Sequence, residues 1–153
     1  MSTSAEEVVR AAYRAAEGDA LDADGFRKLF TEDGVLNNVV AGETYVGDRV
    51  GDLVLSMGRF LPDVHRELHR FHVQGDLVTV ELSIRGTFAG PFETPAGVLQ
   101  PTGAKVDFPT ADFWYVENGK IKTFNCYAGI SVLLVQLGVY PDFASAINAP
   151  GAE

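Results

Sequence analysis

Apolar and polar residues alternate along the chain in two rhythms, one in each part of the sequence. Up to Pro62, apolar residues mostly recur every three or four positions, which is typical of amphipathic helices. From Val64 onward they mostly alternate with polar residues, as in strands that bury one face. Helices followed by antiparallel strands predict an α+β fold, in which a curved antiparallel or mixed sheet wraps around the N-terminal helices as a cone-shaped barrel with an internal cavity.

The first two predicted helices are short and amphipathic. Ser4 begins the first one with the spacing of a capping box, and one face of this helix carries Val9, Ala12, Tyr13 and Ala16. Asp22 or Asp24 caps the second helix, whose apolar residues are Phe26, Leu29 and Phe30. Both helices therefore present an apolar face that can cover the predicted sheet.

A strand is predicted at 34–39, and a third helix follows it. This helix begins after Gly47 and stops before Pro62, and its apolar residues are Val50, Leu53, Val54, Met57 and Phe60. We expect Met57 and Phe60 to face the cavity as substrate-binding residues.

The second part of the chain contains two pairs of strands. The turn at 74–76 joins strands 64–74 and 77–88 as a hairpin. After a loop rich in glycine and proline, strand 106–116 turns back at Asn118-Gly119 into strand 120–128. A last helix, Ile130 to Leu137, ends at Gly138 with Pro141 just beyond, and the tail from Ala144 is predicted to be flexible.

An acid interrupts the apolar face of strand 106–116. One face of this strand carries Val106, Phe108, Thr110, Asp112, Trp114 and Val116. Burying an ionised carboxylate is costly unless it is paired, and no lysine or arginine lies on this face. We expect burial to raise the pKa of Asp112, leaving a neutral acid that can give a proton. The structural alternative is an acid bonded to a tyrosine, an amide or water.

The neighbours of Asp112 depend on the turn at Asn118-Gly119. A two-residue type I′ turn pairs Val116 with Ile121 and places Asp112 opposite Asn125. A type I turn with a glycine bulge pairs Val116 with Lys120 and places Asp112 opposite Phe124. The sequence allows both registers.

Five motifs along the chain resemble the SnoaL-like polyketide cyclases of the nuclear transport factor 2-like superfamily, which also holds ketosteroid isomerase. In order, they are DADGFRKLFTEDGVL, RGTF, QPTGAKV, DFWYVENGKI and SVLLVQLGVYP, within about Val9 to Pro141. The resemblance implies a cone-shaped α+β barrel and a homodimer formed through the outer face of the sheet. It also implies the bulged turn, with Phe124, Cys126 and Ala128 beside Asp112.

The same resemblance suggests roles for three residues. Asp112 matches the cavity acid, which is the acid/base of aldol ring closure in the cyclases and a protonated hydrogen-bond donor in the isomerase. Asn38 stands where the isomerase has its proton-abstracting aspartate, and an amide cannot take a proton. Tyr13 lies within one residue of the isomerase's first-helix tyrosine. The loop at 89–103 lacks the cavity histidine of the cyclases.

Composition restricts the partners. A chain of 153 residues predicts one domain, 1–153, and the net charge of -9 without a basic stripe argues against nucleic acid and anionic membranes. A single cysteine, Cys126, and a polar, acidic N-terminus fit the cytoplasm. We expect no cofactor and no metal, and we interpret the stripe of His65, Glu67, His69 and Phe71 as an outer sheet face or a dimer contact.

These observations predict an enzyme that needs no cofactor and catalyses cyclisation, isomerisation or dehydration of a hydrophobic carbonyl compound such as a polyketide. Asp112 would move a proton, and Tyr13 or Asn38 would hold the carbonyl or enolate oxygen. The predicted substrate-binding residues are Phe108, Thr110, Trp114, Phe124, Cys126, Met57 and Phe60. The alternatives are a non-catalytic binding module for an apolar ligand and a dimerisation domain with a vestigial pocket.

Overall fold

A computed structural model describes residues 3–139 and 142–151. The helices in this part of the chain are α1 (Ala5–Ala15), α2 (Ala23–Lys28), α3 (Gly51–Phe60), α4 (Ile130–Gln136) and α5 (Phe143–Ile147). The strands are β1 (Phe30–Asn38), β2 (Glu43–Val46), β3 (His65–Gln74), β4 (Leu77–Thr87), β5 (Phe92–Thr94), β6 (Gly97–Leu99), β7 (Lys105–Glu117) and β8 (Lys120–Ala128).

Six of the strands form one curved sheet in the order β2-β1-β8-β7-β4-β3. All neighbours run antiparallel except β1 and β8, which are parallel, so the sheet is mixed. The sheet does not close on itself, because β2 and β3 are its edges. Helix α1 packs across β3, β4 and β8 and covers the inner face. The predicted α+β cone is confirmed. Its sheet is open, and helices cover its inner face.

The first helix forms and docks as its sequence predicts. The Ser4 side chain accepts a 3.1 Å hydrogen bond from the Glu7 backbone, which caps the helix. Val9 and Ala12 are fully buried, and Tyr13 is nearly so. The apolar stripe of α1 therefore faces the sheet, and Tyr13 is carried into the interior with it.

The sequence interpretation of the segment around Phe30 was wrong. Helix α2, capped by the Asp22 side chain, ends at Lys28, and Phe30 already belongs to β1. Phe30 pairs with Ile121 of β8, and the Ile121 backbone donates a 2.9 Å hydrogen bond to the Leu29 carbonyl. Pairing with a strand 91 positions away thus overrides the local helical pattern. The short edge strand β2 was not predicted either, so this part of the chain is less helical than expected.

A bulge at His69 changes which residues of β3 face inward. Leu68 pairs with Leu82 and Arg70 with Glu81, so His69 is the extra residue between them. Beyond this point the faces exchange, and Phe71 turns toward the core instead of sharing a face with His65. The expectation of one continuous His65–Phe71 stripe was wrong because simple alternation cannot foresee an extra residue.

The turn between β7 and β8 combines features of both predicted registers. Asn118 and Gly119 both have positive φ values, 51° and 78°, as a two-residue type I′ turn requires, and Val116 pairs with Ile121. A bulge at Lys122 then shifts the pairing by one residue, so Asp112 lies opposite Cys126. Both predicted partners of Asp112, Asn125 and Phe124, were therefore wrong at that position.

The later loops contain more regular structure than the sequence indicated. The glycine- and proline-rich loop forms the β5–β6 hairpin, separate from the main sheet, and its Phe92 packs on Phe60 at 4.6 Å between ring centroids. Helix α4 ends before Gly138, which adopts a φ of 84°, as predicted. The predicted stop at Pro141 lies outside the described residues, and α5 occupies part of the segment predicted to be a flexible tail.

Among the helices of residues 3–139 and 142–151, none has the length and hydrophobicity of a membrane-spanning segment.

Candidate active site

A cavity of about 230 Å³ lies between the inner face of the sheet and helices α1 and α3. Its walls are mostly apolar, with contributions from Ala12, Leu36, Leu53, Val54, Met57, Phe60, Ile84, Phe108, Trp114, Phe124 and Leu133. Its buried and half-buried polar lining residues include Tyr13, Asn38, Tyr45, Arg66 and Asp112, and its exposed ones include Glu43, Ser56, Arg59 and Glu93. The cavity is therefore an apolar space with a few polar groups, as is common in small-molecule sites.

Asp112 is buried in this cavity and held by one hydrogen-bond chain. Its side chain is 3% exposed, and its Oδ2 accepts a 2.7 Å hydrogen bond from the Tyr13 hydroxyl. The Tyr13 oxygen in turn accepts a 3.0 Å hydrogen bond from Trp114 Nε1. The other carboxyl oxygen, Oδ1, has no hydrogen-bond partner among the described residues. One oxygen of Asp112 is thus fixed by the protein, and the other is buried without a hydrogen-bond partner in the described residues.

The alternation of β7 and the packing of aromatic rings fix this arrangement. Asp112 and Trp114 project from the same face of β7 because they are two residues apart. The Trp114 ring stacks on Phe124 at 3.6 Å with an interplanar angle of 6°, and Tyr13 meets its edge at 5.3 Å and 71°. The indole is held between two rings, so the hydrogen bond that orients Tyr13 has a rigid donor.

Burial controls the protonation of the site. Desolvation raises the pKa of Asp112 to about 6, although hydrogen bonding from Tyr13, the nearby Cys126 thiol and the Arg66 charge each lower it. Desolvation, together with the Asp112 charge, raises the pKa of the Tyr13 hydroxyl, which stays protonated. A pKa of about 6 places the titration of this carboxyl near neutral pH. The raised pKa agrees with the expectation that burial favours the protonated form of Asp112.

Asn38 lies in the same row of the sheet as Asp112. Asp112 pairs with Cys126, and Cys126 pairs with Asn38, so the two polar residues are two strands apart, roughly 10 Å between backbones. Asn38 is half-buried, and its Nδ2 donates a 3.0 Å hydrogen bond to Glu43 Oε1. A second amide hydrogen remains for a ligand. The structure therefore brings Asn38 and Asp112 to the same cavity without direct contact.

Six of the seven predicted substrate-binding residues line the cavity: Met57, Phe60, Phe108, Trp114, Phe124 and Cys126. Ala128, expected beside Asp112, lines it as well. Thr110 does not line the cavity, although it shares the face of Asp112, and its buried Oγ1 has no hydrogen-bond partner in the described part of the chain. Alternation identified the buried face of β7 but could not show that Thr110, between the lining residues Phe108 and Asp112, is covered by other parts of the protein.

Arg66 was missed by the sequence analysis. It pairs with Ile84 of β4, which pairs with Phe108 of β7, and it lines the cavity from β3. Alternation along β3 could have predicted this position. If His65 and Glu67 lie on the outer face of the strand, Arg66 and Leu68 must lie on the inner face. A cation does therefore reach the surroundings of Asp112, from another strand and without an ion pair to it.

His65, Glu67 and His69 do not line the cavity. The His65 ring lies between the carboxylates of Glu67 and Glu17, at 2.9 and 2.8 Å, and these hydrogen bonds raise the pKa of His65. Residues 3–139 and 142–151 contain no cluster of three or more histidine, cysteine, aspartate or glutamate side chains arranged to hold a metal ion.

Sequence comparison identifies the family. Residues 9–124 match the SnoaL-like domain, which is most of the chain. The chain belongs to the SnoaL-like family. This is a family of small-molecule-processing proteins, and the predicted resemblance is confirmed. No curated protein matches the sequence at a significant level.

Solved structures share the SnoaL-like fold of this chain. A candidate SnoaL-like polyketide cyclase from Jannaschia sp. CCS1 has a TM-score of 0.77 at 17% identity, covering 90% of this chain and 93% of that one. IdmH from Streptomyces antibioticus, a candidate polyketide cyclase, has a TM-score of 0.68 at 25% identity, covering 88% and 99%. A hypothetical protein of ketosteroid isomerase-like fold from Catenulispora acidiphila, crystallised with trimethylamine, has a TM-score of 0.72 at 23% identity, covering 87% and 93%.

Proposed function

We propose that this SnoaL-like protein is an enzyme without a cofactor that transfers a proton on a hydrophobic carbonyl compound, with cyclisation of a polyketide-like chain as the favoured reaction. The observation that supports the proposal is the state of Asp112, which lines an apolar cavity: one oxygen is fixed by Tyr13, and the other is buried without a hydrogen-bond partner in the described residues. A carboxyl with a pKa of about 6 can act both as a base and as an acid near neutral pH.

The chemical step begins with the ionised form of Asp112. Its Oδ1 would take a proton from the carbon next to a carbonyl group, leaving an enolate on the substrate and a neutral carboxyl on the protein. In an aldol closure the enolate carbon forms a bond to a second carbonyl carbon of the same molecule. The neutral Asp112 then returns its proton to the alkoxide oxygen, so the carboxylate is regenerated and no other reactant is consumed.

Asn38 and Tyr13 would support this step in different ways. The unused amide hydrogen of Asn38 could donate to the carbonyl oxygen, which carries negative charge in the enolate. The distance between Asn38 and Asp112, roughly 10 Å between backbones, leaves room for a carbonyl group between them. Tyr13 already donates its hydrogen to Asp112 and accepts one from Trp114, which favours a positioning role over direct contact with the substrate.

Proton exchange into a simple ketone tests the proposal. The α-hydrogens of 2-tetralone are followed by NMR in D₂O, with the fluorescence of Trp114 as a separate measure of binding. We expect the protein to accelerate exchange and Asp112→Asn to lower the catalysed rate at least about 100-fold while binding is retained. Asp107→Asn is the matched control, because Asp107 lies on the same strand but faces outward, paired with Arg85 at 3.2 Å.

The outcome also separates catalysis from the binding-module alternative. A protein whose Trp114 fluorescence responds to 2-tetralone without any acceleration of exchange would be a binding protein, and the proposed catalysis would be wrong. Equal exchange rates in the wild type and in Asp112→Asn would assign the proton transfer to another group.

A further inference from the structure

Arg66 is an interior cation that the proposed proton transfer does not use. Its side chain lines the cavity and is half-buried. Its Nη1 donates a 2.6 Å hydrogen bond to the Ala16 carbonyl, and its backbone N–H donates to Glu17 Oε1 at 2.9 Å. Within the described residues, Nε and Nη2 of the guanidinium have no hydrogen-bond partner, and no carboxylate lies within 4.0 Å of it.

Arg66 differs in this respect from the other half-buried arginine of the described residues, whereas the exposed Arg14 and Arg59 also lack a carboxylate partner there. Arg27, the other half-buried arginine of the described chain, has Asp48 as a partner at 3.1 Å. Exposed arginines on the sheet also have carboxylate partners, Glu81 for Arg70 and Asp107 for Arg85. In a chain of net charge -9, acids are plentiful, so a half-buried guanidinium without a direct carboxylate partner can still accept one from a ligand.

The chemistry of the guanidinium indicates what would balance it. Its planar fork matches a carboxylate, which can accept two parallel hydrogen bonds from it. The bond to Ala16 fixes one nitrogen, so the remaining donors are already oriented, and less freedom is lost on binding. We propose that Arg66 anchors a carboxylate group of the substrate, so that the substrate class is a hydrophobic oxo acid.

This assignment rests on the proposed function and extends it. Arg66 and Asp112 face one cavity, and they are near enough for the Arg66 charge to act on Asp112, yet they form no ion pair. A ligand held by its carboxylate at Arg66 would extend its carbonyl part toward Asp112. In such a ligand, the carboxylate and the reacting carbon would therefore lie in different parts of the ligand molecule.

A structural role for Arg66 must be separated from a binding role. Ala16 is the C-cap of α1, and a cation that binds the last carbonyls of a helix stabilises it. A variant could therefore lower stability without any effect on ligand choice. The informative quantity is the ratio of affinities for two ligands of the same shape, because a loss of stability changes both affinities together.

The test uses cyclohexanecarboxylate and cyclohexanecarboxamide, measured by calorimetry and by Trp114 fluorescence with the full-length protein. We expect the wild type to bind the carboxylate about tenfold more tightly than the amide. In Arg66→Gln the two affinities should agree within about twofold, with the amide affinity unchanged, and Arg66→Lys should keep part of the preference. Arg70→Gln is the matched control on the outer face of the same strand, and its ratio should equal that of the wild type.

Each other outcome overturns the assignment. A wild type that binds neither probe, or prefers the amide, has no carboxylate anchor at Arg66, and a preference that survives in Arg66→Gln places the anchor elsewhere. The proposed catalysis is judged separately by exchange in 2-tetralone, which has no carboxylate. Exchange that depends on Asp112 without any carboxylate preference would disprove only the anchor, and the reverse result would disprove only the catalysis.

Discussion

The Tyr13 hydroxyl donates a 2.7 Å hydrogen bond to Asp112 Oδ2, which joins the first helix to the centre of the sheet across 99 positions of sequence. The same hydroxyl oxygen accepts from Trp114 Nε1 at 3.0 Å. These two contacts give a buried carboxylate one defined orientation. They also make Tyr13 responsible for part of the stability of the ionised form, because its hydrogen bond lowers the pKa that burial raises.

Replacing Tyr13 by phenylalanine should raise the pKa of Asp112 above about 6 and lower the stability of the protein. The ionised carboxylate loses its donor, and Trp114 Nε1 loses its acceptor, both in a buried place. We expect a loss of about 1–3 kcal/mol in the free energy of unfolding. Carbon NMR of the Asp112 carboxyl and chemical denaturation measure the two effects. The control is Tyr127→Phe, at an exposed tyrosine of β8, and an unchanged pKa in Tyr13→Phe would contradict the role of the hydroxyl.

Stability should depend on pH through Asp112 in the direction opposite to that of a salt-bridged acid. The pKa is about 6 in the folded protein and near 3.8 otherwise, so the folded state holds the proton more tightly. Tighter binding of this proton stabilises the folded state fully below about pH 4. This contribution is lost as the pH rises through about 6. At about 1.4 kcal/mol per pH unit, the total is about 3 kcal/mol.

The measurement is the difference in unfolding free energy between the wild type and Asp112→Asn from pH 4 to pH 7.5. Other titrating groups cancel in this difference, because both proteins contain them. As the pH rises, the unfolding free energy of Asp112→Asn should increase relative to that of the wild type. A difference that is flat over this range would show that Asp112 is hydrated.

Thr110→Val should stabilise the protein and leave ligand binding unchanged. The Thr110 hydroxyl is buried without a hydrogen-bond partner in the described residues, so its replacement by a methyl group of similar size removes a desolvated polar atom. We expect a gain of about 1 kcal/mol in unfolding free energy, with no change in the affinity for 2-tetralone, because Thr110 does not line the cavity. Thr79→Val on β4 serves as a less buried comparison. A loss of affinity in Thr110→Val would show that Thr110 belongs to the ligand-binding site after all.

Gly90→Ala should strongly destabilise the connection between the main sheet and the β5–β6 hairpin. An added Cβ at this buried glycine would overlap the backbone carbonyl of Arg59, at the end of α3. Backbone atoms cannot move aside as a flexible side chain can, so we expect a loss of about 3 kcal/mol or more, measured by thermal unfolding. Ala89→Ser, at the exposed neighbouring position, should have little effect. A stable Gly90→Ala variant would show that this connection can shift.

Alternation and capping predicted the parts of the fold that local chemistry decides. The face of β7 that carries Phe108, Asp112 and Trp114 is buried as expected, and α1 presents Tyr13 to it. The family resemblance then indicated how helix and strand meet, which no single pattern along the chain contains. Together they placed Asp112 in the cavity, along with most of the residues that line it.

Several of the errors arise where distant strands determine the structure. Phe30 joins β1 because it pairs with β8, and the bulges at His69 and Lys122 insert residues that no period of two can reveal. Arg66 was overlooked because Asp112 was compared only with residues of its own strand. The neighbours of a buried acid are set by the pairing between strands, and these neighbours are far from the acid in sequence.

The docking of α1 has a consequence for how the protein is made. A ribosome releases the helix more than ninety residues before it completes the strand that carries the acid, so the emerging chain holds Tyr13 without its partner. Asp112 remains a hydrated, ordinary carboxylate until the helix closes over the finished sheet. Transient departure of α1 from the folded molecule would hydrate it again. The raised pKa of Asp112 is therefore a property of the closed molecule alone, and in unfinished or partly opened chains this residue titrates as an exposed carboxyl does.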